Sequence, residues 1–263
     1  MDKRASDSNE VTKTMPEAHR TIIQEDHVTC TCGWHSPHVF GDSSSFATWH
    51  QRAIGETLDN PYLQAFLAPS TEAELHALGP YGLEHNVLWA RRDRLVAEYA
   101  WAIPTESVLR KLAELSPICD LGCGTGYWAK LLRDVGADVL AVDANPPLEG
   151  TNHWHRRKAG ILGQPVGIRH FLDVVKGDAA TFDVPSEQTL MLCWPPYNNR
   201  MAEQALSRYR GARVIYIGES EGGCTGDDDF HGTLAAQWNL DASYEIPQWE
   251  GLHDDVRVYV RRV

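Results

Sequence analysis

The chain is 263 residues long, with 36 acidic against 24 basic side chains and a formal net charge of −12. That length allows one large domain, or one domain with a small appendage; the acidity argues against an extended nonspecific grip on a polyanion, which needs clustered Lys and Arg. No apolar run approaches a membrane span and Met1-Asp2-Lys3-Arg4-Ala5-Ser6 lacks the core of a signal peptide, so a cytoplasmic globular enzyme is the expectation.

Residues 1–20 are polar with no apolar period, which predicts a disordered tail. Structure is expected from Thr21-Ile22-Ile23 onward. Cys30-Thr31-Cys32-Gly33-Trp34 reads as a hairpin knuckle, and Ser43-Ser44-Ser45 is expected to cap a helix over Phe46 to Ala53. Two thiols on a turn and His50 on the next helix suit one structural zinc ion, with His35 as fourth ligand or His27 or His38 in its place; the Cys-x-Cys spacing suits a knuckle with free thiols equally well. This small segment spans 21–60, and a helical cover segment follows over 61–104. Within it, Val87, Leu88, Leu95, Val96 and Tyr99 predict an amphipathic helix over Glu84 to Trp101. Arg91, Arg92 and Arg94, like His153 to Lys158 further on, read as a solvated surface or a local basic face.

Pro117-Ile118-Cys119 ends a buried strand and runs into Asp120-Leu121-Gly122-Cys123-Gly124-Thr125-Gly126-Tyr127-Trp128, after which Ala129, Leu131, Leu132 and Val135 recur at helical spacing. Glycines in such a turn let the backbone approach a ligand that a Cβ would exclude. A P-loop needs Gly-Lys-Ser/Thr, which is absent, and a dinucleotide fingerprint needs glycine where Tyr127 stands. Val139 to Val142 form a second apolar run ending in Asp143, an acid suited to two ribose hydroxyls. Val174-Val175-Lys176-Gly177-Asp178-Ala179 and Leu190 to Cys193 with Trp194-Pro195-Pro196-Tyr197 are two further strand ends. Ala212 to Gly218 reads as another strand, Glu219 to Asp229 as an acidic glycine-rich loop, and Phe230 to Trp238 as a helix. Tyr244 to Pro247 and Val256 to Val260 are expected to close the sheet as an antiparallel pair. Cys119, Cys123 and Cys193 fall in or beside core strands, as free thiols do.

In this order the four strand ends resemble motifs of the class I S-adenosylmethionine (SAM) dependent methyltransferases, and Trp194 to Tyr197 resembles their amino-methyltransferase motif IV. The resemblance implies a doubly wound, mostly parallel seven-stranded Rossmann-like sheet over 105–263. It implies SAM held by Asp120, Gly122, Gly124, Gly126, Trp128, Asp143, Asp178 and Ala179. The aromatic segment Tyr99-Ala100-Trp101-Ala102-Ile103-Pro104 resembles a further motif lining the methionine end of SAM, and ordinary core packing explains it equally. Trp194, Pro195, Pro196 and Tyr197 would form the acceptor site. The usual residue at the first of these is Asp, Asn or Ser, which accepts hydrogen bonds from a target amine; the indole of Trp194 donates only. The favoured reading is methylation of a nucleic-acid base or nucleotide amine, with backbone carbonyls as acceptors; the alternatives are methylation of a small molecule or protein, and a catalytically silent SAM-binding subunit.

Overall fold

The computed structural model describes residues 21–23, 28–30, 43–69, 71, 74, 84–146, 155 and 169–262. The first elements are an antiparallel pair, β1 (Thr21–Ile23) and β2 (Val28–Cys30). Helix α1 (Ser43–Ala53) follows. The three serines expected to cap it form its first turn instead. Helix α2 (Pro61–Leu67) starts where Asn60 accepts the N–H of Leu63 at 3.1 Å and Pro61 sits at the first position, where a missing N–H costs nothing. Helix α3 (Glu84–Glu98) ends before Trp101, and α4 (Glu106–Ala113) leads into the sheet.

The sheet has seven strands in the order β5-β4-β3-β6-β7-β9-β8. They are β3 (Ile118–Leu121), β4 (Val139–Asp143), β5 (Val175–Lys176), β6 (Thr189–Cys193), β7 (Arg213–Gly218), β8 (Trp238–Glu245) and β9 (Asp255–Arg261). The first five in that order pair in parallel, while β9 runs antiparallel to β7 and to β8. This is the expected Rossmann-like architecture. Helices α5 (Tyr127–Asp134), α6 (Met201–Arg208) and α7 (Asp228–Gln237) connect the strands.

Successive strand side chains feed opposite faces. Ile118, Met191 and Ile215 pack with the aromatic face built from α2 to α5, whereas Cys119, Leu190, Leu192, Val214 and Tyr216 pack with Ala202, Leu206 and Phe230 of α6 and α7. Burial on both faces explains why the central strands are continuous apolar runs rather than alternating ones. Cys119 is fully buried, Cys123 and Cys193 are partly buried, and all three are free thiols, as expected. One boundary differs from expectation. β8 begins at Trp238, directly after α7, because the buried Trp238 stacks on Tyr209 and holds the chain against the sheet before any turn residue intervenes.

Candidate active site

The strand order reverses direction beside β3: the chain steps outward to β4 and β5, then returns to β6 on the other side. A crevice outside the carboxyl ends of strands forms at such a switch point. Here a cavity of about 570 Å³ lies there, and every strand-end motif contributes to it: Gly122 and Gly124 after β3, Asp143 at the end of β4, Asp178 and Ala179 after β5, and Trp194 to Tyr197 after β6. That volume is in the range of small-molecule and cofactor sites.

The turn after β3 requires its glycines. Gly122, Gly124 and Gly126 have φ of 82°, 57° and 77°, a left-handed region that costs other residues energy. A Cβ on Gly122 would meet the Met201 side chain at 2.9 Å. Asp143 clamps the turn: its Oδ2 accepts the Gly124 N–H at 2.9 Å and its Oδ1 accepts the Asn145 N–H at 2.8 Å. Each oxygen keeps a lone pair for a hydroxyl. Asp120 is 1% exposed, and among the described residues neither of its carboxyl oxygens has a hydrogen-bond partner. Burial, and then the neighbouring Asp143, push its carboxyl up to about 8. A glycine cradle, an acid at the next strand end and an orphaned buried carboxyl fit a cofactor with a ribose and a cationic amino acid end.

Several expected cofactor residues support the turn and do not line the cavity. The Tyr99 carbonyl accepts the Thr125 hydroxyl, and its ring stacks on Tyr62 and Phe171 with centroids 5.3 and 5.8 Å away. The Trp128 indole donates to the Ala102 carbonyl at 3.1 Å, and the Pro104 carbonyl accepts the Asn60 amide at 2.8 Å. Gly126 caps α5. Trp101 does line the cavity. Asp178 is exposed and accepts the Ala180 N–H at 2.8 Å.

The corner expected to take the acceptor is built around Trp194, the one non-glycine with positive φ among the described residues, at 53°. Asn and Asp tolerate that conformation best, so a tryptophan there is strained by about 1–2 kcal/mol. Three contacts hold it. Its N–H donates to the Ile217 carbonyl at 2.8 Å, its indole donates to Asp254 Oδ1 at 2.8 Å, and its ring stacks on Trp101 at 4.9 Å and 22°. The Pro195 carbonyl accepts the Gly226 N–H at 2.7 Å, and Pro196 bridges to Thr225, so the acidic glycine-rich loop braces the corner from behind. Glu219 of that loop is buried, its carboxylate accepting the N–H groups of Cys224 and His253. Tyr197 is 59% exposed at the lip.

Four lining or supporting residues were not among the expected site residues. Arg92, expected on a solvated surface or a local basic face, is buried among Trp89, Trp101 and Trp194, and its neighbour Arg91 is buried against Glu74 and the Ala68 carbonyl. The spacing of Trp89 and Arg92 on one helix was the available signal. His155, expected on a solvated surface or a local basic face, is also buried and lines the cavity beside Gly124. Burial pushes its ring down to about 4, and Nδ1–H donates to the Val96 carbonyl at 3.2 Å, which leaves Nε2 as an acceptor. Asp254 reaches Trp194 from the β8–β9 connection and has no local signal; burial pushes its carboxyl up to about 7. Of the zinc candidates, Cys30 ends β2 and His50 lies in α1, while Cys32 and His35 lie outside the described residues. Among the described residues no group of three or more His, Cys, Asp or Glu could hold a metal ion. Nor is any helix there long and apolar enough to cross a membrane.

No curated protein matches the chain. Among solved structures, magnesium protoporphyrin IX methyltransferase from Synechocystis PCC 6803 is similar at 12% identity and a TM-score of 0.41, over 73% of this chain and 99% of that one. A TehB-like SAM-dependent methyltransferase from Corynebacterium glutamicum is similar at 21% identity and a TM-score of 0.39, over 68% of this chain and 98% of that one. Residues 89–195 match the family described as methyltransferase domain, and that stretch runs from Trp89 to the Pro195 corner. The matched stretch holds β3, β4, β5 and β6, the strands whose ends border the cavity.

Proposed function

We propose that the chain moves a methyl group from SAM to a planar small molecule held against Trp194 and Tyr197. One observation carries the choice: of the two acceptors a target amine would use, the side-chain one is absent and the backbone one is already engaged on one lone pair. The Trp194 indole is a donor turned to Asp254, and the Pro195 carbonyl already takes the Gly226 N–H. What is left is an aromatic slot, with stacked Trp101 and Trp194 as its wall and Tyr197 at its lip.

When bound, SAM supplies an electrophilic methyl carbon on a sulfonium. The chain's part is positioning and exclusion of water. Gly122, Gly124 and Gly126 shape the methionine end, with Asp120 behind them; Asp143 takes the ribose hydroxyls on its remaining lone pairs, and Asp178 and Ala179 border the adenine. The aromatic wall then orients a flat acceptor in line with the methyl. A nucleic-acid base or nucleotide amine is the second reading, supported by the exposed Tyr197 beside Pro195-Pro196 and requiring the second lone pair of the Pro195 carbonyl.

The test is to incubate the protein with methyl-tritiated SAM and separated RNA, DNA, protein and small-molecule fractions of cells. Label in the small-molecule fraction is expected. Label confined to RNA or DNA would replace this reading with the base-amine one.

A further inference from the structure

Arg92 is a buried cation with unusual neighbours. Its guanidinium lies over the rings of Trp89, Trp101 and Trp194, with centroid distances of 5.2, 5.4 and 5.7 Å. The residue is 7% exposed and lines the same cavity as Asp143 and Tyr197. Indole faces attract a cation but accept its N–H groups poorly, and among the described residues Nε has no hydrogen-bond partner. The carboxylate found within 4.0 Å is the exposed Asp93, at 3.9 Å from Nη1. Asp254 and Cys224 face the guanidinium at longer range, but Asp254 is engaged by the Trp194 indole and burial favours its neutral form. A guanidinium presents up to five donors in a planar fork. Left without an acceptor, the buried Nε–H costs energy that a bound anion would offset.

We propose that Arg92 receives an oxyanion, a carboxylate or phosphate, carried on the planar ring of the methyl acceptor. The acceptor is then an aromatic acid or aromatic phosphate, with its ring in the tryptophan slot and its oxyanion on the Arg92 fork. This rests on the small-molecule reading above.

Binding is read from quenching of tryptophan fluorescence in protein saturated with S-adenosylhomocysteine, using benzoate, phenyl phosphate and benzamide as probes. At least one of the two oxyanions is expected to bind saturably and about tenfold or more tighter than benzamide, the scale of one charge-assisted hydrogen bond. Whichever binds more tightly names the group. Arg92→Gln should abolish the preference, and Arg92→Lys, which keeps the charge without the fork, should keep part of it; S-adenosylhomocysteine binding certifies that each variant is folded. Equal binding of all three probes, no binding of either oxyanion, or an unchanged preference in Arg92→Gln would overturn the proposal. Tritium label in neutral small molecules, with no oxyanion preference, would overturn the Arg92 assignment alone; label confined to nucleic acid would remove the reading beneath it.

Discussion

Replacing Asp143 by Asn separates its two duties. In the wild type one oxygen takes the Gly124 N–H at 2.9 Å and the other takes the Asn145 N–H at 2.8 Å. An amide keeps one acceptor and turns an NH2 toward the other N–H, so one charge-assisted bond is lost and a buried donor is left unmet. That costs about 1–3 kcal/mol of stability. The same change weakens the grip on a ribose hydroxyl by about 1.5–3 kcal/mol, or about ten- to 150-fold in affinity. Titration calorimetry with SAM reads the second effect and a thermal melt the first. The decisive comparison uses adenosine and 2′,3′-dideoxyadenosine: wild-type protein should prefer adenosine, and Asp143→Asn should lose most of that preference. A variant that melts lower yet discriminates the two nucleosides as the wild type does would refute the ribose role and leave Asp143 a clamp on the glycine turn.

Other outcomes follow from the same geometry. Tyr197→Ala removes an exposed ring from the lip, so methyl transfer should fall by about ten- to a hundredfold, the scale of a lost stack or a misplaced nucleophile, while calorimetric SAM affinity stays within error. Asp254 has a folded pKa of about 7 against an ordinary value near 3.8, so its proton is held more tightly in the folded state. Its contribution is complete below about pH 4 and lost as pH rises to about 7, and Asp254→Asn, which still accepts the Trp194 indole, should flatten that part of the stability–pH curve in thermal melts. Glu106 runs the other way: burial alone would raise its carboxyl, but the Leu58 N–H, Arg110 and Thr57 hold it down to about 2. Its contribution is present above about pH 4 and lost toward pH 2, so Glu106→Gln should lower the neutral-pH melting temperature by several degrees and weaken the acid dependence.

The ligand edge was legible in the sequence because its chemistry is local. A glycine turn declares its left-handed backbone, and an acid ending an apolar run declares a polar strand end; both stand on the cavity. The parallel sheet was legible for a similar reason, since β3, β6 and β7 are apolar on both faces. What escaped depends on distance along the chain. Arg92 looks solvated in a polar run, and the indoles of Trp101 and Trp194, brought in by the fold, join Trp89 to enclose it. Asp254 meets Trp194 across 60 residues. Tyr99 and Trp128 look like ligand aromatics, but the Tyr99 carbonyl accepts the Thr125 hydroxyl and the Trp128 indole donates to the Ala102 carbonyl. Trp194 itself was legible as a departure from the motif, but its positive φ and its donation away from the slot needed coordinates.

The most direct test of the central claim is acceptor-dependent turnover. Protein loaded with SAM is mixed with the small-molecule fraction of cells, or with buffer, and S-adenosylhomocysteine is followed by mass spectrometry beside SAM calorimetry on the same preparation. The account predicts saturable SAM binding, with S-adenosylhomocysteine accumulating only when the small-molecule fraction is present and one methylated product formed for each molecule released. Tight SAM binding with no more S-adenosylhomocysteine from the small-molecule fraction than from buffer would contradict it.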